Sequence, residues 1–549
     1  MVDDISPAHE PKGWSWRDRA RGSVIRGTVL DPGTEPVEGV EAFQTAYVPD
    51  RLLVSDGGSL GEDERGLDLV RRAAAVFGWG IARERLDGTE LGEGERQEPR
   101  LPGAPIVTRV RLTTPERKDA VSPALPDAWR VLQQVRREIL GEKPRRAGEA
   151  GGALRAAGAD LIGLDHILTI DPIGVNPYTR TNPYTRTNPF ATADPYTRTN
   201  PYTRTNPVGE YADCGSGGRQ PVAWVGAAPV AAEPGDGCRR PVVAVLDTGI
   251  GAHAWLPDDL VDRDVRLDGV PVGLDDDRNP EIYPDLYGPL DGELDPVAGH
   301  GTFIAGIIRQ TAPDAELLGI RVADALGVVE ESNLLRVIED LGILVWRHRN
   351  GERGGRPIDV VNLSLGYYHE TPEDGLYTRD LFDLLTILRT LGTTVVVSAG
   401  NDATDRPTFP ASLWPWPGAD NGIDPDDDAP HVSVGALNPD LRTTALFSNV
   451  GPWVRTYAAG ASVVSTLPDF TGGIQASARD DRYDRRRLTI APEDFRGGFA
   501  VWSGTSFAAP LVAGLIAAAL NGCPAEKDPA DAAVETARAA TARVLEALG

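Results

Sequence analysis

The sequence predicts an α/β domain with a central, mostly parallel sheet and helices on both faces, behind a small α+β module. Residues 241–246 and 394–398 are short apolar runs, rich in valine, of the kind that form strands buried on both faces. Residues 507–520 form a longer apolar run with the length of a buried helix. Helices that connect such strands are typical of an α/β domain.

The N-terminal part of the chain predicts two regions. Residues 1–48 are rich in proline, glycine and charge, and we expect partial disorder there. Residues 49–172 predict a compact module of three strands and two helices: 51–55, 67–79, 106–112, 127–140 and 161–170. That order suggests a small sandwich of ferredoxin-like type, while an unrelated accessory domain remains an alternative.

A repeat interrupts the predicted linker at 173–239. Residues 176–207 contain Pro-Tyr-Thr-Arg-Thr-Asn four times. A proline in every repeat removes backbone donors and favours polyproline II or turns, which predicts a semi-rigid linker. Alternatively, its arginines and tyrosines dock on an acidic face of this chain or of a protein partner, or present cleavage sites.

Ser506 stands at the start of the apolar helix, in Gly-Thr-Ser-Phe-Ala-Ala-Pro. The first N–H groups of a helix lack helical partners, and the helix dipole favours an anion there. We expect Pro510 to fit within the first turn, which does not need its missing N–H. A hydroxyl beside free donors suits acyl transfer, although a lone serine here would more often be a cap.

Three more polar residues stand at the ends of apolar elements. Asp247 ends the strand 241–246, His300 begins an apolar helix that includes 303–308, and Asn401 follows the strand 394–398. Taken singly, they would be a helix cap, a loop residue and a turn former. Because strands of an open α/β sheet direct their carboxyl ends at one crevice, we expect the set to converge there.

With these motifs in this order, residues 240–525 resemble the subtilisin-like serine proteases, or subtilases. The resemblance implies a subtilisin-like three-layer domain in which Asp247, His300 and Ser506 form the catalytic triad. Asn401 matches the amide that completes the oxyanion hole of the family. The implied activity is hydrolysis of peptide bonds in protein or peptide substrates.

The resemblance also implies a substrate site and a role for the N-terminal module. Ser364, Leu365 and Gly366 match the strand against which subtilases lay an extended substrate, and Ala399 with Gly400 would complete the pocket walls. Subtilases commonly carry an N-terminal propeptide that assists folding and plugs the active site. The alternative is a latent or regulatory protein whose N-terminal module and repeat bind a controlling partner.

Other segments of the chain carry weaker predictions. The reaction requires no cofactor, and metal ligands are unknown, but the five aspartates of 419–428 could bind calcium or form an acidic surface loop. Residues 264–298 and 469–500 are predicted to be insertions that are solvated loops, narrow the cleft or form partner contacts. Residues 526–549 predict a C-terminal helix.

Charge and cysteine content bound the partners and the compartment. A net charge of −26 over 549 residues argues against nucleic acid or an anionic membrane surface as a partner. The first residues lack the pattern of a secretory signal, and the longest apolar stretch is too short to span a bilayer. Reduced thiols are favoured over a Cys214–Cys238 bridge, which predicts a cytoplasmic enzyme.

Overall fold

The structure is a computed structural model. It describes residues 11–22, 27–56, 62–92, 94–114, 124–141, 147–170, 211, 217–287, 294–371, 379–417, 423, 428–470, 495–520 and 529–549. The repeat at 176–207, most of the acidic segment at 419–428 and residues 471–494 therefore lie outside the described residues.

The N-terminal module is built around an antiparallel sheet. Its strands are β1 Thr28–Val29, β2 Ala46–Ser55, β3 Gly80–Glu84, β4 Val107–Thr113 and β5 Ile162–Thr169. Its helices are α1 Trp16–Gly22, α2 Glu62–Val76, α3 Ala128–Leu140 and α4 Ala147–Ala156, with a 3₁₀ turn at Ala159–Leu161.

The strand order of this module is β5-β2-β4-β3, with β1 added beside β2. Helices α2 and α3 pack against one face, so the order is the ferredoxin-like one that the sequence suggests. The predicted elements are present, whereas β3 and α4 were not predicted, nor were α1 and β1 in the segment 1–48 that was expected to be partly disordered. The run Leu52–Val54 is fully buried because its side chains alternate between this helical layer and the core of the C-terminal domain.

The C-terminal domain contains the larger of the two main sheets, together with several shorter strands outside it. Its strands are β6 Gln220–Val222, β7 Val242–Asp247, β8 Val261–Asp262, β9 Arg266–Leu267, β10 Val270–Pro271, β11 Glu316–Arg321, β12 Val328–Glu330, β13 Val360–Leu363, β14 Thr394–Ser398, β15 His431–Leu437, β16 Thr456–Ala459, β17 Val463–Thr466 and β18 Phe499–Trp502. Its helices are α5 His300–Thr311, α6 Glu331–Arg349, α7 Arg379–Thr390, α8 Thr505–Ala519 and α9 Ala530–Leu548.

Seven of these strands form a parallel sheet in the order β16-β15-β14-β13-β7-β11-β8. Strand β7 is central, and its alternate side chains enter two different apolar layers: α6 and α7 cover one face, α5 and α8 the other. The chain winds outward in opposite directions from β7, so a crevice forms where β7 meets β13. The predicted α/β architecture is confirmed.

The two halves of the chain share a sheet. Strand β12 of the C-terminal domain pairs antiparallel with β5, so the module's sheet continues into the domain that carries the crevice. This pairing places the end of β5 beside the crevice.

Two expectations from the sequence are wrong. For the segment 264–298, the alternative of a solvated loop is wrong at Glu281, Asp285 and Asp295, which are each less than a tenth exposed. Cys238 is disulfide-bonded rather than a free thiol. Among the described residues, no helix is both long and apolar enough to cross a bilayer.

Candidate active site

Asp247 and His300 meet at the crevice. Asp247 is the last residue of β7 and His300 the first of α5, so each side chain projects from the end of a regular element. The Nδ1 atom of His300 lies 2.9 Å and 3.0 Å from the two carboxylate oxygens of Asp247. Both side chains are buried, which strengthens the hydrogen bond and fixes the orientation of the imidazole.

Further donors hold the Asp247 carboxylate. The backbone N–H of Thr248 donates to its Oδ1 at 2.8 Å, and the Thr248 hydroxyl lies 3.0 Å from the same oxygen. Because His300 Nδ1 and the Thr248 N–H both contact the carboxylate, with the Thr248 hydroxyl within reach, its rotamer is fixed before any substrate binds.

Ser506 lies in the first turn of α8, and its neighbour Phe507 is in ring contact with His300 at 5.1 Å between centroids. Helix α8 begins at Thr505, so Pro510 is its sixth residue and not part of the first turn as expected. The helical partner of the missing Pro510 N–H would be the Ser506 carbonyl. The hydroxyl of Ser364 donates to that carbonyl at 3.0 Å instead.

Asn401 is anchored to the residue before Ser506. Its Oδ1 accepts from the backbone N–H of Thr505 at 2.8 Å and from the Thr505 hydroxyl at 2.9 Å. The side-chain oxygen therefore faces the start of α8, and the amide is held beside the turn that presents Ser506.

Aromatic rings pack around the buried His300. Trp502 meets its ring edge-on at 5.4 Å, and Phe303 packs on Phe507 at 4.5 Å. The guanidinium of Arg219 covers Trp502 at 4.7 Å. Apolar walls of this kind exclude water from the imidazole and raise the strength of its electrostatic contacts.

The family model for subtilases matches residues 239–547, which is more than half of the chain. This chain belongs to the subtilase family. Curated relatives include an extracellular protease of Xanthomonas campestris (29% identical, 55% of this chain and 47% of the relative) and an intracellular serine protease of Paenibacillus polymyxa (29%, 50% and 65%). Serine protease AprX of Bacillus subtilis is also 29% identical, over 51% and 57%. The chain thus spans about half to two thirds of the length of these relatives.

Two solved structures are similar over about half of this chain, each at 20% identity. A cold-adapted subtilisin-like serine proteinase aligns over 53% of this chain and 79% of its own, with a TM-score of 0.32. A lanthipeptide protease aligns over 52% and 76%, with a TM-score of 0.34.

The subtilase domain has a small cavity directly beside Ser506. Ser506, Asn401, Gly400 and the segment 364–366 line it, as the sequence predicts for the last two groups. Ala399 is not among the residues that line it: this residue is fully buried, and its carbonyl accepts from the Thr408 hydroxyl and the Asn449 amide. The remaining lining residues were not predicted and are Thr169, Tyr367, Tyr368, Ser398, Thr408 and Thr505.

Thr169 of the N-terminal module pairs with Gly366, in the segment that is predicted to bind an extended substrate. Its N–H donates to the Gly366 carbonyl at 2.9 Å, and the Gly366 N–H donates to its carbonyl at 3.1 Å. The next residue, Ile170, donates to the carbonyl of Gly327 on the opposite wall at 2.9 Å. The end of β5 is therefore held in the crevice by backbone bonds to both walls.

A buried histidine of β5 also holds this strand against the subtilase domain. His166 Nδ1 lies 2.6 Å from Glu331 and its Nε2 lies 2.8 Å from Glu370, both in the subtilase domain. Burial alone would lower the pKa of His166, but the two carboxylates outweigh it and raise that pKa to about 10. An imidazolium that bridges two carboxylates is the resulting state.

Glu281 lies close to Asp247 and His300 and was not predicted from the sequence. It accepts hydrogen bonds from Thr248, Gly301 and Thr302 while only 3% exposed. It lies 19 positions before His300 in a segment rich in aspartate, proline and glycine, and no motif distinguishes it from the acids around it.

Proposed function

We propose that this chain is a serine endopeptidase that hydrolyses peptide bonds with Asp247, His300 and Ser506. The observation that carries the proposal is the buried Asp247–His300 pair in contact with the first turn of α8, where Ser506 stands. An imidazole held by a carboxylate beside a hydroxyl at a helix start is an arrangement suited to nucleophilic catalysis.

Each group has one role in this mechanism. His300 takes the proton of the Ser506 hydroxyl as its oxygen attacks the peptide carbonyl, and then gives that proton to the leaving amine. Asp247 keeps Nδ1 protonated and stabilises the imidazolium that forms. The Ser506 N–H and the Asn401 amide bind the oxyanion of the tetrahedral intermediate. No step requires a cofactor.

The substrate would bind as an extended strand along Ser364, Leu365 and Gly366. Backbone hydrogen bonds to Gly366 suit a peptide of any sequence, and the bonds that Thr169 already makes there support this mode. The small residues of the walls favour broad or apolar side-chain preference.

We further propose that the N-terminal module acts as an inhibitory propeptide. The end of β5 fills the strand position that a substrate needs, so the module and a substrate compete for Gly366. Latency is then a state of the enzyme, relieved when β5 leaves the crevice.

The proposed function also covers the cellular location, calcium binding and the role of the repeat. A cytoplasmic location is supported by the relative named as intracellular, but disulfides are rare in that compartment and Cys238 forms one. Alkylation of thiols in freshly lysed source cells, followed by mass spectrometry of the Cys238 peptide, tests the location. Calcium binding at 419–428 and partner binding by 176–207 remain predictions.

A fluorophosphonate probe tests the activity. We expect labelling at Ser506, mapped by mass spectrometry, in the native chain and more rapidly in Thr169→Pro, which opens the crevice. Ser506→Ala should lose the label, and His300→Ala should slow it by a factor of 1,000 or more because the general base is gone. If neither the native chain nor Thr169→Pro is labelled at Ser506, the proposed activity is wrong.

A further inference from the structure

Glu281 joins the two elements that carry Asp247 and His300. One carboxylate oxygen accepts from the Gly301 N–H at 3.1 Å, in the first turn of α5. The other accepts from the Thr302 hydroxyl, which itself accepts from the Gly251 N–H at 2.7 Å in the loop after β7. Because the carboxylate binds α5 directly and the loop after β7 through Thr302, it holds the start of α5 against the end of β7.

The Thr248 hydroxyl connects Glu281 to Asp247. It has one proton and two carboxylate oxygens within reach, Oδ1 of Asp247 at 3.0 Å and Oε1 of Glu281. Its oxygen also accepts from the Gly301 N–H at 2.8 Å. A hydroxyl can donate to one of these acceptors at a time, so the charge on Glu281 decides which carboxylate it serves.

Two arrangements of protons follow. When Glu281 is ionised, the Thr248 hydroxyl donates to it, and Asp247 keeps only His300 and the Thr248 N–H. When Glu281 is protonated, its O–H donates to Thr248 and the Thr248 hydroxyl turns to Asp247. The extra hydrogen bond stabilises the charge on Asp247 and so weakens its hold on the imidazolium.

Both arrangements are accessible near neutral pH. Burial raises the pKa of Glu281 to about 7; the hydrogen bonds from Thr248 and Thr302 oppose this, and the charge of Asp247 adds to it. The titratable groups on the facing elements are Asp247 on β7 and His300 on α5. Arg321, at the end of β11, lies beyond Gly249 and pairs with Asp276 at 3.0 Å.

We propose that Glu281 is a positioning residue for the Asp247–His300 pair, acting through the single proton of the Thr248 hydroxyl. The inference rests on the proposed function. It makes the strength of the general base depend on a second carboxylate that never touches the substrate.

The test compares the pH dependence of fluorophosphonate labelling in the native chain, Glu281→Gln, Glu281→Ala and Asp277→Asn. Asp277 is an exposed carboxylate of the same segment and serves as the matched control. We expect the native acid limb to contain two ionisations and to be steeper than the single-ionisation limb of Glu281→Gln. Above pH 7, Glu281→Gln should label about threefold to tenfold more slowly, and Asp277→Asn should match the native chain.

A coupling experiment separates this role from a purely structural one. Thr248→Val removes the hydroxyl and Thr248→Ser keeps it. We expect Glu281→Gln to change the acid limb in the Ser background and to leave it unchanged in the Val background. Equal effects in both backgrounds, or a native-like profile for Glu281→Gln, would overturn the inference.

A signal that needs no turnover keeps the two proposals distinct. The strongly deshielded proton of the His300–Asp247 hydrogen bond can be observed by NMR in the full chain. We expect it to shift with pH around neutrality in the native chain but not in Glu281→Gln, and to broaden in Glu281→Ala. Absent labelling of both the native chain and Thr169→Pro, with these shifts present, would refute the activity alone; labelling with no shift would refute the role of Glu281.

Discussion

Pro510 and Ser364 form a compensating pair at the nucleophile. The proline leaves the Ser506 carbonyl without its helical donor, and the Ser364 hydroxyl supplies one at 3.0 Å. Ser364 also accepts from the Asn362 amide at 3.0 Å, and all of these groups are buried. The orientation of the turn that presents Ser506 therefore depends on a side chain of the substrate strand.

The pairing of Ser364 with Pro510 can be tested by a double-mutant cycle of the free energy of unfolding. Ser364→Ala leaves the Ser506 carbonyl unpaired and should lower the free energy of unfolding by about 1–3 kcal/mol. Pro510→Ala restores a helical N–H, so Ser364→Ala should cost less in that background. Thermal unfolding of the four proteins, each in a Ser506→Ala background to prevent autolysis, measures the coupling. Additive losses would contradict the pairing.

The sequence predicted those site residues that stand at the ends of apolar elements. Asp247, His300 and Asn401 could be placed because a strand or helix and a short motif mark each one. Glu281 could not be placed, since its role depends on a tertiary fold that buries one acid of an acidic segment. Ala399 is fully buried while its neighbour Gly400 lines the cavity, because adjacent residues of an extended segment point to opposite sides; its role in substrate binding stays a prediction.

Strand β5 is held to the subtilase domain along its length. At its centre, Asp165 accepts from the N–H and hydroxyl of Ser332, at 3.0 Å and 2.9 Å, and so caps the start of α6. At its end, Thr169 pairs with Gly366. Strand β5 thus makes three kinds of contact with the subtilase domain: Asp165 caps a helix, His166 forms ion pairs, and Thr169 forms backbone hydrogen bonds in the crevice.

The backbone hydrogen bonds between Thr169 and Gly366 predict that loss of a single N–H group weakens the binding of β5 in the crevice. Thr169→Pro removes the N–H that donates to Gly366, and the proline ring crowds the same carbonyl. Hydrolysis of an added peptide should rise at least fivefold relative to the native chain, since the competing strand is weakened. Thr169→Ala retains the N–H and serves as the control; an equal rise in this variant would show that the ladder is not what inhibits.

The pKa of His166 predicts how docking depends on pH. In the docked state this pKa is raised to about 10, against an ordinary value near 6.5 for a solvated histidine. The imidazolium therefore stabilises docking fully below pH 6.5, and this stabilisation is lost as the pH rises toward 10. We expect inhibition of peptide hydrolysis to weaken across that interval.

His166→Ala provides the control for this pH dependence. Without the imidazolium, Glu331 and Glu370 face each other, and the Arg136 guanidinium lies 3.4 Å from Glu370. Docking should be weak at every pH, so the rate should be high and free of the step between pH 6.5 and 10. A native chain with the same profile as His166→Ala would rule out the histidine as the cause.

At the scale of the whole molecule, the sequence predicted the parts better than their assembly. The module's strands and helices follow from local apolar patterns, and the parallel sheet follows from buried valine-rich runs. The shared sheet of β5 and β12 could not be predicted, because β12 is three residues long and has no pattern of its own. Non-local pairing of this kind is determined by the shapes of two folded halves.

The assembly predicts that the chain processes itself and then stays together. Incubated native protein should be cut between about residues 170 and 240, because β5 ends in the crevice, where Thr169 lines the same cavity as Ser506. The module should remain bound after the cut, since contacts such as Arg51 with Glu330 at 2.5 Å and Arg100 with Asp340 at 2.6 Å do not depend on the linker. N-terminal sequencing identifies the cut, and gel filtration shows whether the two pieces elute together.

Ser506→Ala supplies the control for this processing. Alone it should remain intact, and a trace of native enzyme added to it distinguishes cleavage between molecules from cleavage within one. If Ser506→Ala is cut at the same position without added enzyme, a contaminating protease is responsible. If the native chain is cut only beyond residue 240, the module is an accessory domain, and its strand in the crevice is not a propeptide.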